Sequence, residues 1–261
     1  MSAVVVENLK QQISAIEFES GARKDDDVIS TGSEALDQIF PKNGIPSGSL
    51  LEVLPEAYKQ RTAAIGAVLG LGARLLANRT GPIIWCQLRE QERLHLHAPG
   101  LIAFGIDPAR LIKLTLKTEQ DLLWAMEEAL NCPYIACAIG VLWSEKIYDF
   151  TASRRLSIRA KESDVCALML RSHRANGTTA ADMRWTVKSE KSGKTPKRQA
   201  FLPRLGGMRW QLNVVKCKGA NPSTQPIGWN RETVSFNMVS QLVDRTHMPQ
   251  IKPTGNLRQI S

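Results

Sequence analysis

The feature that most constrains the fold is a regular alternation of short apolar runs with amphipathic segments between residues 50 and 171. The run IACAIGVL (135–142) is continuously apolar, as in strands whose two sheet faces are both covered by helices. This rhythm predicts an α/β fold with a mainly parallel sheet flanked by helices. The predicted strands are 50–54, 82–88, 111–114, 135–142 and 165–170, and the predicted helices are 62–77, 118–130 and 150–161, with a helix or turn at 96–104.

The ends of the chain differ from this central part. Residues 4–18 have apolar positions at helical spacing and predict an amphipathic helix, which the polar run SGARKDDD links to the body. After residue 171, runs 183–187 and 208–216 alternate in polarity and predict an antiparallel extension, with a loop at 219–229 and a strand or helix at 234–243. The predicted organisation is an N-terminal helix and linker (1–27), a core (28–172), a small β-rich C-terminal extension (173–248) and a tail (249–261).

Two helix starts carry capping signals. TGSE at Thr31 has the spacing of a capping box, with Glu34 three residues later, and predicts a helix over 34–40. Thr118 is the predicted N-cap of the helix over 118–130.

Charge is distributed unevenly around a net value of +9. Residues 1–150 hold 14 Lys and Arg against 19 Asp and Glu, whereas residues 151–261 hold 20 against 6. The second half is therefore expected to meet an anionic partner, either nucleic acid or an acidic protein.

Cysteine and hydropathy patterns exclude several classes of protein. Four of the five cysteines lie in apolar stretches and no CxxC pair occurs, so buried reduced thiols are expected rather than disulfides. The five are Cys86, Cys132, Cys137, Cys166 and Cys217. The pair His95 and His97 has no accompanying Cys or carboxylate cluster, so we predict no metal site. With no apolar run of 18 residues and no secretory leader, the prediction is a cytoplasmic protein without a membrane span.

The segment LEVLPEAYKQRTAA lies where a nucleotide-binding protein has its phosphate loop, between a strand and a long helix. In the pattern GxxxxGK[ST], glycines turn backbone N–H groups onto the phosphates, while the lysine and hydroxyl bind oxygens and Mg²⁺. Here Pro55 and Gln60 replace the glycines, Arg61 replaces the lysine, and only Thr62 matches. The loop is therefore predicted to be degenerate, with no catalytic residue and no bound cofactor.

The carboxylates that an ATPase needs are also missing from their expected places. The strand over 135–142 ends without an Asp, and Glu145 follows several residues later. Glu90 follows the strand over 82–88, but without a phosphate seat it is predicted to be a surface acid.

The run ISTGSEALDQIFPKNGIPSGSLLEVLPE (29–56) resembles the opening of the RecA recombinase core, and GIDPARL (105–111) resembles a later RecA segment. A closer resemblance is to the ImuA family, of the alphaproteobacterial type. It rests on LWAMEEAL, TASRRL, TAADMRW and RWQLNVVKCKG, with Trp229 after a Pro/Gly loop, and it covers about residues 5–245. The chain departs from the family's Arg-Cys-Arg-Gly-Gly turn, because it has Lys216-Cys217-Lys218-Gly219-Ala220.

The resemblance implies a RecA-like accessory protein of the SOS response to DNA damage. Family members act with ImuB, a Y-family polymerase homologue, and with an error-prone C-family polymerase in mutagenic translesion synthesis. It also implies that the N-terminal helix docks on a RecA-like neighbour, and RecA is itself a candidate partner.

The basic second half supplies candidate contacts to an anionic partner, either ImuB or DNA. Each residue taken alone is typical of a solvated surface, but together their excess favours a partner. Two alternatives stay open: an ATP-dependent RecA-type enzyme, and a sequence-independent DNA-binding protein. The candidate contacts are Arg154, Arg155, Arg159, Arg184, Lys188, Arg209, Lys216 and Lys218.

Overall fold

A computed structural model describes residues 28–91, 96–144, 147–192 and 207–239. The predicted N-terminal helix over 4–18, the tail over 249–261 and Glu145 lie outside these residues, as does His95. The predicted division of the chain at residue 172 stays a prediction.

The described residues form an α/β fold around one nine-stranded sheet, as the sequence predicts. Its strand order is β11-β10-β9-β8-β3-β7-β6-β4-β5, and neighbouring strands from β8 through β5 are parallel. A two-stranded ladder, β1 with β2, lies apart from it. The strands are β1 (Val28–Ile29), β2 (Ile45–Pro46), β3 (Leu50–Pro55), β4 (Ile83–Leu88), β5 (Leu111–Leu116), β6 (Cys137–Leu142), β7 (Cys166–Arg171), β8 (Met183–Ser189), β9 (Arg209–Cys217), β10 (Ser223–Asn230) and β11 (Ser235–Met238).

Helices cover the two faces of the sheet and create two apolar cores. The long helix α2 packs on one face, and α4 and α5 pack on the other. Strands β3, β6 and β7 are buried along their whole length, which explains their continuous apolar sequences. The helices are α1 (Glu34–Asp37), α2 (Arg61–Ala77), α3 (Ala98–Ala103), α4 (Glu119–Leu130) and α5 (Phe150–Ser163).

The predicted C-terminal extension is a continuation of the main sheet. Strand β8 pairs antiparallel with β9, as predicted, but its other edge pairs in parallel with β3. Deleting the chain after residue 172 would therefore expose the edge of a buried core strand.

One prediction in this region is wrong, because the segment over 219–229 contains strand β10 rather than a loop. The Pro and Gly residues of this segment are typical of turns, so its sequence does not indicate a strand. Strand β10 nevertheless pairs with β9 and β11, and its residues Ile227 and Trp229 are buried. The carbonyl of Pro226 accepts a hydrogen bond from Val239 N–H at 2.9 Å. The following segment, predicted as a strand or helix, is strand β11 over its described part.

The capping prediction at Thr118 is confirmed and the one at Thr31 is wrong. Thr118 and Asp121 form a reciprocal capping box at the start of α4. The N-cap of α1 is Ser33 rather than Thr31. Thr31 instead donates from its N–H and its hydroxyl to the buried carboxylate of Asp37, at 2.8 and 2.7 Å. It therefore binds the last residue of α1 rather than capping the first turn.

Four cysteines are buried, as predicted, and all five are free thiols. The buried ones are Cys86, Cys137, Cys166 and Cys217, and Cys132 is exposed. Burial raises the pKa of Cys86 to about 12 and, with a smaller contribution from Asp182, that of Cys217 to about 11, so both stay protonated at neutral pH. Across the described ranges, no helix combines the length and the apolar content that a bilayer crossing needs.

Small residues let α2 lie close to the aromatic side chains of the C-terminal strands. A Cβ added at Gly70 would lie 2.8 Å from the ring of Phe236 and 3.1 Å from that of Trp229. These two rings meet edge to face with centroids 4.9 Å apart. The helix therefore holds β10 and β11 through ring contacts that only glycine allows at this position.

We expect Gly70→Ala to lower the free energy of unfolding. Overpacking costs about 1–3 kcal/mol, whereas the gain in helix propensity is roughly 1 kcal/mol. Gly100→Ala in α3 is the matched control, because nothing lies within 4 Å of its added Cβ. Urea denaturation followed by circular dichroism measures both changes. Equal midpoints for the two variants would contradict this account of α2 packing.

Candidate functional site

The candidate site is the connection from β3 to α2, at the carboxyl edge of the sheet. After Pro55 the chain passes through a 3-10 turn, Tyr58–Gln60, and enters α2 at Arg61. None of the residues over 55–62 has a positive φ, so the chain does not follow a glycine-dependent path here.

The backbone amides of this connection are used within the protein. The N–H of Glu56 donates to the carbonyl of Val187 in β8 at 2.9 Å, and the N–H of Gln60 donates to Ala57 at 2.9 Å. The N–H of Arg61 donates to the carbonyl of Tyr58. A phosphate cradle needs amides that converge on an anion, and these three already have other acceptors.

Arg61 is held by aromatic rings. Its guanidinium carbon lies 4.1 Å from the centroid of Tyr58 and 4.5 Å from that of Trp143, which follows β6. Cation–π contacts of this kind stabilise a cation by about 0.5–2 kcal/mol. Tyr58 in turn meets His173 edge-on, with the ring centroids 6.1 Å apart. The arginine thus joins three chain segments at the place where a phosphate-loop lysine would lie.

Side chains tie the same connection to β8. The Oε1 atom of Gln60 accepts from the N–H and the hydroxyl of Ser189, at 2.9 and 2.8 Å. Lys188 forms an ion pair with Glu56, with Nζ and Oε1 3.2 Å apart. Thr62, the residue that matches the phosphate-loop pattern, is exposed in the first turn of α2.

A buried ionic cluster lies behind the connection, centred on Glu52 in β3. Its Oε2 atom is 3.0 Å from a guanidinium nitrogen of Arg171 and 2.7 Å from Nε of Arg184. The hydroxyl of Tyr148 donates to Oε1 at 3.1 Å, and Arg171 stacks on the Tyr148 ring at 4.8 Å. Glu52 is fully buried and Arg171 is 1% exposed. Desolvation and the neighbouring Glu52 carboxylate raise the pKa of Tyr148, so it remains a hydrogen-bond donor.

This cluster orders the segments that follow β6 and β7. Tyr148 belongs to the first, and Arg184 reaches the second through a hydrogen bond to the hydroxyl of Thr179 at 2.9 Å. Sequence reasoning missed the cluster. The available signal was an acidic residue, Glu52, inside an otherwise apolar strand, which requires a buried cationic partner.

The edge of the sheet offers few groups for a metal. Glu90 lies in a 3-10 turn after β4 and is exposed, and Gln87 is buried with its oxygen accepting from the Trp85 indole at 2.9 Å. Strand β6 ends at Leu142 and is followed by Trp143. Within the described residues, no three His, Cys, Asp or Glu side chains are grouped as metal ligands would be.

Comparison with known proteins finds two relatives that match most of the chain. No protein-family profile matches the chain. Two curated proteins from Caulobacter vibrioides, strains NA1000 and ATCC 19089, are each 29% identical to it over 246 residues. The match spans 87% of this chain and 95% of theirs, and both are named Protein ImuA. The chain is thus similar to Protein ImuA over most of its length.

Three of the basic residues that the sequence proposes as partner contacts lie together on α5. Arg154, Arg155 and Arg159 are exposed there. Arg155 is paired with Glu127 of α4 and Arg159 with Glu162, each at 3.2 Å.

The others lie on β8 and β9 or directly after β9. Because Trp185 and Trp210 face the α2 side, the alternate residues Arg184, Lys188 and Arg209 project from the α5 side. Arg184 is directly opposite Lys216, whose ammonium donates to the carbonyl of Thr179 at 3.0 Å. Lys218 is exposed just after β9.

The structure therefore divides this set. Arg184 and Lys216 serve internal contacts, whereas Arg154 and Arg209 make no ion pair or hydrogen bond with another described side chain. Their role in binding a partner stays a prediction.

We expect Glu52→Gln to destabilise the fold strongly, because it leaves Arg171 and Arg184 without their buried countercharge. Breaking one member of a buried ionic group costs about 3–5 kcal/mol. The matched control is Glu56→Gln, which removes an exposed partner of Lys188 at a cost below about 1 kcal/mol. Chemical denaturation of both variants gives the difference, and a Glu52→Gln protein as stable as Glu56→Gln would show that the cluster contributes little.

Proposed function

We propose that this chain is a non-catalytic accessory protein of mutagenic translesion DNA synthesis in the SOS response to DNA damage. In this proposal it acts in the cytoplasm beside an ImuB-type Y-family polymerase homologue and an error-prone C-family polymerase. Similarity to Protein ImuA of Caulobacter vibrioides supports the pathway. The geometry of the β3–α2 connection supports the accessory role, because its amides and Arg61 are bound within the protein.

The surfaces of the protein then carry its function. We propose that the segment over 4–18 docks on a RecA-like neighbour through its apolar face, and that the α5 side of the sheet binds ImuB. The α5 side presents the exposed Arg154 and Arg159, while β9 presents Arg209.

A second candidate, sequence-independent DNA binding, is favoured by one observation. Residues 151–261 contain 20 Lys and Arg against 6 Asp and Glu, and several of the basic residues share the α5 side of the molecule. Phosphate contacts weaken steeply with added salt, whereas apolar docking does not, so salt dependence separates the two candidates.

We expect no saturable binding of magnesium ATP to the full chain at micromolar concentrations. Binding would require Glu56, Gln60 and Arg61 to release their internal amide partners and Arg61 to leave two rings. Isothermal titration calorimetry of the wild type and of Arg61→Ala measures this. Micromolar binding that disappears in Arg61→Ala would overturn the proposed accessory role and support an ATP-dependent enzyme.

We expect co-purification with ImuB to fall at least tenfold when Arg154 and Arg209 are both changed to Glu. The matched control is the double change Lys113→Glu and Lys117→Glu on the far side of the sheet, which alters net charge equally. Both control lysines are exposed, at β5 and just after it. Point changes are preferable to truncation after residue 172, because the strands beyond it complete the sheet.

Equal recovery of ImuB with both double variants would contradict a binding surface on the α5 side. The same proteins are then tested on single-stranded DNA at low and physiological salt. Binding that is lost with salt and with the Arg154 and Arg209 changes would favour the DNA-binding candidate. Removal of residues 1–27 tests the N-terminal docking separately.

A further inference from the structure

One tryptophan takes no part in the packing of the fold. Five of the six tryptophans are used internally, because four are buried and Trp143 stacks on Arg61. Trp124 in α4 is instead 65% exposed and belongs to neither apolar core. Among the described residues, no ring or guanidinium stacks on it. The four buried tryptophans are Trp85, Trp185, Trp210 and Trp229.

The helix does not need tryptophan at this position. Trp124 lies between Leu123 and Ala125, which are both buried, but its own side chain is on the solvent side of α4. Gln120 and Glu128, one turn before and one turn after it, are exposed on the same side. Glutamine, glutamate, lysine and arginine all have a higher helix propensity than tryptophan. Tryptophan is, however, among the residue types most enriched at binding hot spots.

A second residue of α4 opposes the electrostatics of its own helix. Glu128 lies in the last turn, where unpaired carbonyl groups carry partial negative charge and a further anion is unfavourable. Its neighbour Glu127 is offset by Arg155 of α5, at 3.2 Å. Glu128 is exposed, and no cation of the described part of the chain pairs with it. A cation supplied by another molecule would therefore remove an unfavourable interaction.

The surroundings of Trp124 are negative, although the whole chain is basic. Asp121 and Glu128 flank the ring on the same side of the helix, and α4 contains no lysine or arginine. The Arg155 guanidinium is already paired. Lys117 precedes α4 and is about 16 Å from Glu128 along the helix axis. The acidic residues of α4 are Glu119, Asp121, Glu127 and Glu128.

An arginine side chain satisfies both features of this face. A guanidinium stacks on an aromatic ring and also pairs with a carboxylate through two N–H groups. Trp124 and Glu128 are one helical turn apart, about 6 Å, so one guanidinium can contact both. Arg61 shows the same stacking inside this protein, over Tyr58 and Trp143. Nucleic acid is disfavoured on this face, because the carboxylates repel phosphates.

We propose that Trp124 and Glu128 bind a basic segment of a partner protein, which lays an arginine over the indole ring and pairs it with the Glu128 carboxylate. The Asp121 carboxylate adds to the attraction for a cationic segment. This site goes beyond the accessory function proposed above, because its charge is opposite to that of Arg154 and Arg209 and it does not require ImuB to be the partner.

The test uses the full chain and two blocked, fluorescein-labelled peptides at physiological salt. The first is Ala-Leu-Arg-Ala-Leu-Arg-Ala-Leu, and the second has citrulline, which is uncharged but similar in shape, in place of each arginine. We expect saturable binding of the arginine peptide in fluorescence anisotropy and at least tenfold weaker binding of the citrulline peptide. Equal affinities, or no binding of the arginine peptide up to millimolar protein, would overturn the proposal.

Two variants locate the binding within the molecule. Glu128→Gln is expected to weaken the arginine peptide at least fivefold, whereas Glu232→Gln, at an exposed acid in the β10–β11 turn, leaves it unchanged. Trp124→Ala is expected to weaken the peptide at least tenfold with an unchanged urea midpoint, because the ring is outside both cores. Wild-type affinity in Trp124→Ala, or the same affinity in Glu128→Gln and Glu232→Gln, would refute the site.

Sedimentation velocity distinguishes a partner protein from a second copy of this chain. We expect the wild type and Trp124→Ala to sediment identically when no peptide is present. A wild-type dimer that becomes monomeric in Trp124→Ala would assign the face to a second copy, and the proposal of a basic partner segment would be wrong.

Discussion

The buried carboxylate of Glu52 is the interaction on which the arrangement around the candidate site depends. Isolated charges are very costly to bury, so this side chain is stable only because Arg171, Arg184 and Tyr148 surround it. Its three partners come from β7, β8 and the segment after β6. One carboxylate therefore sets the relative position of four chain segments at the carboxyl half of the sheet.

The position of β8 beside β3 links this cluster to the β3–α2 connection. Because β8 runs parallel to β3, Val187, Lys188 and Ser189 lie next to the residues that follow Pro55. Their backbone and side chains bind the N–H and carboxylate of Glu56 and the side-chain oxygen of Gln60. In a phosphate loop, residues at these positions would contact the ligand. The C-terminal strands and the β3–α2 connection thus form one structural unit. The loop needs no bound anion to satisfy its polar groups, because protein atoms already do so.

The parts of this structure that sequence could predict are those determined by local pattern. The apolar runs of β3, β6 and β7 identified buried parallel strands, and Thr118 identified a helix start. Strand β10 was missed because Pro226 and Gly228 are turn residues by propensity, and only pairing with β9 and β11 makes them a strand. Thr31 was misassigned because a buried aspartate six residues away competes for its hydroxyl.

The partners of Glu52 were out of reach of sequence analysis for a related reason. Arg171 and Arg184 are 119 and 132 residues from Glu52 along the chain. The residues next to each arginine in the sequence do not show whether its side chain is buried or solvated. Arg184 accordingly belonged to the same candidate set as Arg154, although one is tied into the core and the other is exposed. Composition shows that the second half of the chain is basic. The strand register is needed to tell which basic side chains contact the core and which face solvent.

The same contacts bear on how the β3–α2 connection of a RecA-like scaffold can be held in place by protein groups alone. A ligand that binds only the folded state adds to its stability, so a loop that loses the ligand must replace that contribution or accept a weaker fold. Here Arg61 stacks on Tyr58 and Trp143, and the amides of Glu56 and Gln60 bond within the chain. These contacts occupy the carboxyl edge with protein groups.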